Sequence, residues 1–96
     1  MQLARVVGSV VASVKEPRLT GMKLLLVEDA APDGSSSGSA YVAADLVGAG
    51  ETELVIVVRG SSAARSIGID GVPVDAAIVA IVEAVRENGK PKYAKS

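Results

Sequence analysis

The run LVIVV at residues 54–58 constrains the fold more strongly than any other part of this sequence. Valine and isoleucine favour strands because their branched side chains pack well on a pleated surface. We predict a strand over residues 53–58 and earlier strands over residues 3–14, 22–27 and 41–47, all rich in small aliphatic residues. Several short strands joined by turns favour a closed barrel, since closure removes exposed sheet edges. The predicted fold class is all-β, a five-stranded OB-like closed β-barrel with one short helix.

Glycine and proline mark the connections between these strands. Gly8 stands inside the first Val-rich run and predicts a bend or bulge there. Pro17 has no amide hydrogen to donate to a ladder, so the segment KEPR at residues 15–18 is predicted to be a turn. Residues 31–39 contain a proline, two glycines and three consecutive serines, which is typical of a loop with a mobile tip.

The segment that follows the fourth strand allows two interpretations. Ser61 or Ser62 could cap a short helix that extends through Arg65, since a serine hydroxyl accepts hydrogen bonds from free amides at a helix start. Residues 75–88 begin with aspartate, carry apolar residues at helical spacing and precede a glycine, as a helix would. The run IVAIV at residues 78–82 is nevertheless apolar on both faces, as a buried strand would be. Periodicity alone leans slightly to the helix.

The apolar content of the chain exceeds what one small core can hide. The chain has 96 residues, of which 49% are hydrophobic, and its mean hydropathy is +0.39. With no Phe, no Trp and two Tyr, this content is nearly all Val, Ala, Ile and Leu. A single domain over residues 1–96 buries only roughly 60–65% of the surface that its unfolded chain exposes. We therefore expect apolar surface to be buried against other copies of the chain.

Residue types that the chain lacks exclude several functions. There is no cysteine, so disulfides and thiolate chemistry are excluded. There is no histidine, which removes the commonest general base and transition-metal ligand. Ten basic and eleven acidic residues leave a net charge of −1, with little attraction for nucleic acid. No apolar run approaches the ~20 residues of a membrane span, and no signal pattern is present. We predict a cytoplasmic protein without catalytic activity, metal or cofactor.

Two motifs that could carry chemistry are better explained by structure. Gly48-Ala49-Gly50 lacks the third glycine of a dinucleotide fingerprint, and the acidic residues after it would repel phosphate, so a tight turn is predicted. Ser61 and Ser62 have no histidine and no Ser-x-x-Lys pattern to activate them as nucleophiles. Capping and backbone hydrogen bonding are the expected roles of these serines.

Two further carboxylates and the C-terminal tail are candidates for polar contacts. Asp45 lies among apolar residues, where burial is costly without a partner, so Arg5, Arg59 or Arg65 is expected to pair with it. Asp75 follows Pro73 in a similar setting, and a structural anchor is the expected role of both aspartates. The tail KPKYAK at residues 90–95 is either a solvated, partly frayed end or a docking segment for an acidic neighbour.

Six blocks spread in order over nearly the whole chain resemble the vertex proteins of bacterial microcompartment shells, the EutN/CcmL family. The blocks are LARVVG at residues 3–8, KEP at 15–17, LTGMKLL at 19–25, AADLVGAG at 43–50, GSSA at 60–63 and PVDAAIVAIVE at 73–83. The resemblance implies a five-stranded barrel, with a long terminal strand after a turn near Pro73. It also implies a non-enzymatic homopentamer that caps the five-fold vertices of a polyhedral shell, among hexameric facet proteins.

The pentamer that the resemblance implies leads to candidate residues for two places in it. The candidates near the symmetry axis, where small side chains avoid crowding, are Gly48, Ala49 and Gly50. The candidates for polar contacts at the subunit boundary are Arg5, Asp45 and Arg65. In the family an arginine directly follows Gly-Ser-Ser-Ala, whereas here Ala64 intervenes, so the family's arginine contact is not assigned to Arg65.

The alternative function is a small OB-like barrel that binds a metabolite, which could pass along the symmetry axis, or single-stranded nucleic acid. Binding of single strands uses stacking aromatic residues in a basic groove. Two tyrosines and a net charge of −1 supply little of either.

Overall fold

The computed structural model describes residues 1–68 and 73–96. Its strands, in chain order, are β1 (Gln2–Val10), β2 (Leu24–Ala30), β3 (Ser36–Asp45), β4 (Leu54–Arg59), β5 (Ala76–Ile81), β6 (Ala84–Glu87) and β7 (Lys90–Ala94). A 3₁₀ helix spans Pro17–Leu19, and helix α1 spans Ser61–Ile67 between β4 and β5. The 3₁₀ helix lies at the predicted proline turn.

The first five strands form a closed barrel in the order β1-β2-β3-β5-β4, and β4 pairs back onto β1. All of these pairings are antiparallel except the short parallel contact between β3 and β5. The prediction of a closed five-stranded barrel with one short helix is therefore confirmed. Strands β6 and β7 form a separate antiparallel hairpin, which we call the C-terminal hairpin.

The barrel interior is filled by alternate residues of each strand, because successive side chains of a strand point to opposite faces. Ala4 and Val6 of β1 are fully buried, as are Val55 and Val57 of β4. Small aliphatic side chains suit this narrow interior. The register of β1 against β2 shifts between Val6 and Gly8, which confirms the bulge predicted at Gly8.

Helix α1 confirms the predicted short helix but not its cap. Gly60 occupies the N-cap position, and no side chain of the described residues caps the helix there. The prediction of a serine cap was wrong because both serines lie inside the helix. The buried Ala63 packs with Val58 of β4 and Ala77 of β5, so α1 covers one part of the outer face of the β4–β5 pair.

The C-terminal half of the chain corrects three predictions. Residues 75–88 form neither a helix nor one long strand: β5 ends at Ile81 and β6 begins at Ala84. The amide of Val82 still donates to the carbonyl of Leu54 in β4 (2.9 Å), and the chain leaves the barrel after this residue. Residues 90–94 are not frayed but form β7, since they pair with β6.

Several earlier boundaries also differ from the predictions: β2 is Leu24–Ala30 rather than residues 22–27, and β3 ends at Asp45 rather than at residue 47. The first strand ends at Val10, four residues before the predicted end. The predicted loop over residues 31–39 is shorter, because β3 begins at Ser36 and pairs there with Ala30.

Candidate assembly site

Arg5 joins four separate parts of the chain. Its Nε donates to the carbonyl oxygen of Gly34 (3.1 Å), and its Nη2 donates to the same oxygen. Its Nη1 donates to the carbonyl oxygen of Thr52 (2.6 Å). The guanidinium carbon lies 5.5 Å from the ring centre of Tyr93 in β7, a cation–π distance. Arg5 therefore ties β1 to the β2–β3 connection, to the β3–β4 connection and to the C-terminal hairpin.

The backbone around Arg5 is held in uncommon conformations. Gly34 is buried and has φ +87°, and a Cβ built on it would lie 2.5 Å from Arg5 Nη2 and 2.9 Å from Tyr93 Cδ1. Thr52 has φ +73°, which is strained for a β-branched residue. The Thr52 amide donates to the carbonyl of Val6 (2.8 Å), and its own carbonyl accepts from Arg5, so both sides of its backbone are held.

Asp45 anchors the start of the β3–β4 connection, as predicted for a structural carboxylate. Its side chain is only 1% exposed. Its Oδ1 accepts hydrogen bonds from the amides of Val47 (3.1 Å) and Ala49 (3.2 Å). The prediction of an arginine partner was wrong: Oδ2 lies 3.7 Å from Nζ of Lys23. Lys23 precedes β2, and the pairing of Leu24 with Ala44 brings it beside Asp45.

The residues Gly48, Ala49 and Gly50 lie in this connection and differ in exposure. Gly48 is exposed, whereas the Ala49 side chain is fully buried and belongs to the barrel core. The Ala49 carbonyl accepts a hydrogen bond from Lys23 Nζ (3.1 Å). The three residues therefore cross one end of the barrel, where the Ala49 side chain packs into the core. The turn itself comes after them: the carbonyl of Gly50 accepts a hydrogen bond from the Glu53 amide (3.2 Å).

Glu53 closes the same connection and fastens the C-terminal hairpin. Its Oε1 accepts from the amide of Gly50 (2.6 Å), and its Oε2 lies 2.7 Å from Nζ of Lys95. The hydrogen bond from Lys95, followed by that from Gly50, lowers the pKa of Glu53 below its ordinary value. The hydrogen bond to Glu53 in turn raises the pKa of Lys95.

These shifts predict acid sensitivity of the hairpin attachment. A carboxylate whose pKa is lower in the folded state stabilises the fold above its unfolded pKa, near 4.5, and this stabilisation is lost as pH falls through the folded pKa. Glu53→Gln should therefore reduce stability at pH 7 and flatten the decline of stability between pH 5 and pH 3. Urea unfolding at a series of pH values measures this. Glu87→Gln, an exposed hairpin carboxylate, is the control, and an unchanged acid profile in Glu53→Gln would contradict the assignment.

Arg65 lies apart from these contacts. It is an exposed residue in the last turn of α1, where a cation interacts favourably with the helix dipole. The preceding Ala64 is 8% exposed and packs inward. Of the three predicted boundary residues, the structure brings two to the same connection between β3 and β4. Asp45 binds residues 47 and 49 at its start, and Arg5 binds Thr52 near its end.

A further polar cluster was not predicted from the sequence. The Tyr41 hydroxyl donates to Asp29 Oδ1 (2.8 Å), and Gln2 Nε2 donates to the Tyr41 hydroxyl (3.1 Å) and to Asp29. The Arg59 guanidinium carbon lies 4.3 Å from the Tyr41 ring centre. Burial, followed by the bond to Asp29, raises the pKa of Tyr41. The signal that could have suggested this cluster is Tyr41 itself, one of two tyrosines in the chain.

Two concavities border these elements. A cleft of about 270 Å³ lies between the turn at residues 50–53 and the C-terminal hairpin, and its lining includes Arg5, Tyr93 and Lys95. An apolar groove of about 200 Å³ lies along β2, β3 and the start of β5. Over residues 1–68 and 73–96, no group of three or more Asp and Glu side chains is arranged to hold a metal ion. No helix in that part of the chain is long and apolar enough to span a membrane.

Comparison with known proteins gives one consistent result. The family model described as ethanolamine utilisation protein EutN/carboxysome matches residues 1–83. The carboxysome shell vertex protein CcmL of Thermosynechococcus vestitus is 43% identical over 95 residues, which cover 99% of this chain and 96% of that protein. The solved structure of Gloeobacter violaceus CcmL has a TM-score of 0.90 at 42% identity, covering 99% of this chain and 98% of the other.

For one further relative, the oligomeric state is known. The microcompartment shell vertex protein GrpN of Rhodospirillum rubrum is 47% identical over 89 residues, covering 88% of this chain and 96% of GrpN. Its structure, which is described as a pentameric shell protein, matches with a TM-score of 0.80 and 42% identity, covering 91% and 99% of the two chains. The small closed barrel of this chain is thus the fold of a class of shell proteins. This chain belongs to the EutN/CcmL family of microcompartment shell vertex proteins.

Proposed function

We propose that the protein assembles as a homopentamer that caps the five-fold vertices of a bacterial microcompartment, among hexameric facet proteins. The observation that carries this proposal is the similarity to shell vertex proteins over 99% of the chain, together with the pentameric state of GrpN. The exposed apolar residues support burial against other copies: Val42 is 44% exposed, Leu46 40% and Val47 38%. The alternative of a metabolite- or nucleic-acid-binding barrel is not favoured, because the relatives are shell proteins.

We also propose a division of labour among the predicted site residues. Gly48 and Gly50 would place backbone near the symmetry axis, and the buried Ala49 side chain would anchor that segment in the core. Arg5 and Asp45 would act on the subunit boundary indirectly, by holding the β3–β4 connection in shape. Arg65 is exposed and would contact a neighbour directly. We propose no catalytic role and no cofactor for any of them.

The C-terminal hairpin is proposed to be part of one domain over residues 1–96. The family match ends at residue 83, but the hairpin is fastened to the barrel by the Glu53–Lys95 ion pair and by the contact of Arg5 with Tyr93. The hairpin would therefore move with the barrel during assembly.

Native mass spectrometry at low micromolar concentration tests the oligomeric state. The expected mass is five times that of the 9.7 kDa chain, with little monomer, because a stable interface removes on the order of 800 Å² from each partner. A persistent monomer or a hexamer would contradict the vertex assignment.

Electron microscopy of shells assembled with and without this chain tests the location. Closed polyhedra are expected when the chain is present, and shells with open corners or extended tubes when it is absent. Equally well-closed shells in both preparations would argue against a vertex role.

A further inference from the structure

The cleft between the turn at residues 50–53 and the C-terminal hairpin contains more hydrogen-bond donors than its acceptors use. Arg5 lines this cleft and carries five N–H groups, of which three donate to backbone carbonyl oxygens. Lys95 lines it from the end of the hairpin, and one of its three N–H groups is engaged by Oε2 of Glu53 (2.7 Å). Within residues 1–68 and 73–96, two donors on each of these cations therefore have no partner.

Arg5 also lacks a counter-ion in the part of the chain that the structure describes. Its guanidinium group contacts two carbonyl groups and the ring of Tyr93 but forms no ion pair there. Glu28 lies opposite Arg5 in the β1–β2 register, yet it makes no ion pair with Arg5 and does not line the cleft. A half-buried charge without a counter-ion is costly, so an anion beside Arg5 would stabilise the folded chain.

The carboxylate side chain that lines the cleft already has partners. Glu53 accepts the amide of Gly50 through Oε1 (2.6 Å) and faces Lys95 through Oε2. The hydrogen bond to Glu53 is the main cause of the raised pKa of Lys95, and electrostatic interactions with Glu53, Glu83 and Tyr93 add to it. The phenol of Tyr93 thus lies near the Lys95 ammonium group. Two cationic side chains and one hydroxyl border the same space, which suits a ligand that brings acceptors and negative charge.

We propose that this cleft binds a phosphate group, either as inorganic phosphate or as part of a small phosphorylated metabolite. Arginine suits phosphate because two parallel N–H groups match two of its oxygens. Donors from three side chains suit the three acceptor oxygens of a phosphate ester better than the two of a carboxylate. The volume of about 270 Å³ lies below the roughly 300–1,000 Å³ of pockets for drug-sized ligands, so the ligand would be small.

A phosphate in this cleft would join the barrel to the C-terminal hairpin. It would contact β1 through Arg5 and the hairpin through Tyr93 and Lys95. Because a ligand that binds only the folded state stabilises that state, the hairpin should open less often when phosphate is bound. The cleft lies within one chain, so the proposal does not rest on the pentamer, and it adds a ligand to the shell role without replacing that role.

Nuclear magnetic resonance titration of the isotope-labelled protein at pH 7 and constant ionic strength tests the site. Inorganic phosphate should shift the amide signals of Thr52, Tyr93 and Lys95 saturably, with a dissociation constant in the millimolar range. Glycerol phosphate distinguishes the two sources: tighter binding than inorganic phosphate indicates a phosphorylated metabolite, and equal binding indicates phosphate itself. The absence of saturable shifts in the cleft, or acetate binding as tight as that of phosphate, would overturn the proposal.

Two substitutions in the same ion pair separate ligand binding from hairpin attachment. Lys95→Gln should weaken phosphate binding about tenfold, as expected for the loss of one charge-assisted hydrogen bond. Glu53→Gln should instead tighten binding, because it removes the carboxylate that repels phosphate and leaves Lys95 in place. Lys90→Gln, which removes an exposed hairpin charge outside the lining, is the control and should change binding little.

The opposite signs of these effects make the test decisive. Both Lys95→Gln and Glu53→Gln break the ion pair that fastens the hairpin, so a purely structural role of the pair would weaken binding in both variants. That result, or equal losses in Lys95→Gln and Lys90→Gln, would overturn the proposed site. Circular dichroism shows whether each variant is folded before its titration.

Discussion

Replacement of Asp45 by alanine is expected to lower the free energy of unfolding by about 3 kcal/mol. The carboxylate is 1% exposed and accepts the amides of Val47 and Ala49. Without it these two donors lose their partner, and the ammonium group of Lys23 loses its counter-ion. The connection that places Ala49 in the core should loosen, so the loss is expected to extend beyond the two hydrogen bonds.

Two companion variants separate the contributions at Asp45. Asp45→Asn keeps an acceptor oxygen for the amides but removes the charge. Its loss of unfolding free energy should therefore be smaller than that of Asp45→Ala. Lys23→Ala should cost less than 1 kcal/mol, because the Lys23 side chain is 56% exposed and its pairing is weakened by solvent.

Urea unfolding followed by circular dichroism measures these effects, with all variants at one protein concentration, because association shifts apparent stability. Asp75→Ala is the control. The sequence predicted an anchor role for Asp75 too, but its side chain is exposed, and its contact with the Gly60 amide (2.8 Å) is made by its backbone carbonyl, which the substitution keeps. A loss of less than 1 kcal/mol in Asp45→Ala would show that the carboxylate does not anchor the connection.

Replacement of Gly34 by alanine should cost about 2–3 kcal/mol, from two separate sources. The backbone at φ +87° is unfavourable for any residue with a Cβ. In addition, the new methyl group would lie 2.5 Å from Arg5 Nη2 and 2.9 Å from Tyr93 Cδ1, so both side chains must move. The expected result is a less stable protein in which the C-terminal hairpin is detached from Arg5.

Gly21→Ala separates the two sources. Gly21 has φ +81°, but a Cβ built on it meets no atom within 4 Å. Its substitution should therefore show the backbone cost alone, about 1 kcal/mol. Thermal unfolding and amide hydrogen exchange of residues 84–94 measure the difference. Equal losses in the two variants, with unchanged protection of the hairpin, would mean that the contact of Arg5 with Tyr93 does not hold the hairpin in place.

Local sequence determined where the first four barrel strands lie, although not where each of them ends. Runs such as LVIVV at residues 54–58 form strands because branched side chains prefer a pleated surface. The register shift of β1 lies beside Gly8, where the glycine inside the Val-rich run predicted it. The composition also showed that the chain has more apolar residues than a small core can bury. Exposed apolar residues on the barrel were therefore expected, and they are present. These properties depend on each residue and its near neighbours.

Residues 75–88 show where local preference is insufficient. Their pattern satisfies helix and strand periodicity almost equally, and neither a helix nor a single long strand is formed. The segment becomes β5 because the edges of β3 and β4 are available to pair with it and close the barrel. It then breaks at residues 82–83, where Val82 donates to Leu54 and the chain turns into the C-terminal hairpin.

The polar contacts of the site were decided by tertiary structure alone. Asp45 pairs with Lys23 rather than with an arginine because the β2–β3 register sets them side by side. Arg5 finds its partners 29 and 47 positions away along the chain, at carbonyl groups that any residue could supply. From the sequence, a long polar side chain shows only that it needs hydrogen-bond or ion-pair partners. Which atoms meet that need depends on strand register and loop closure, which are properties of the whole barrel.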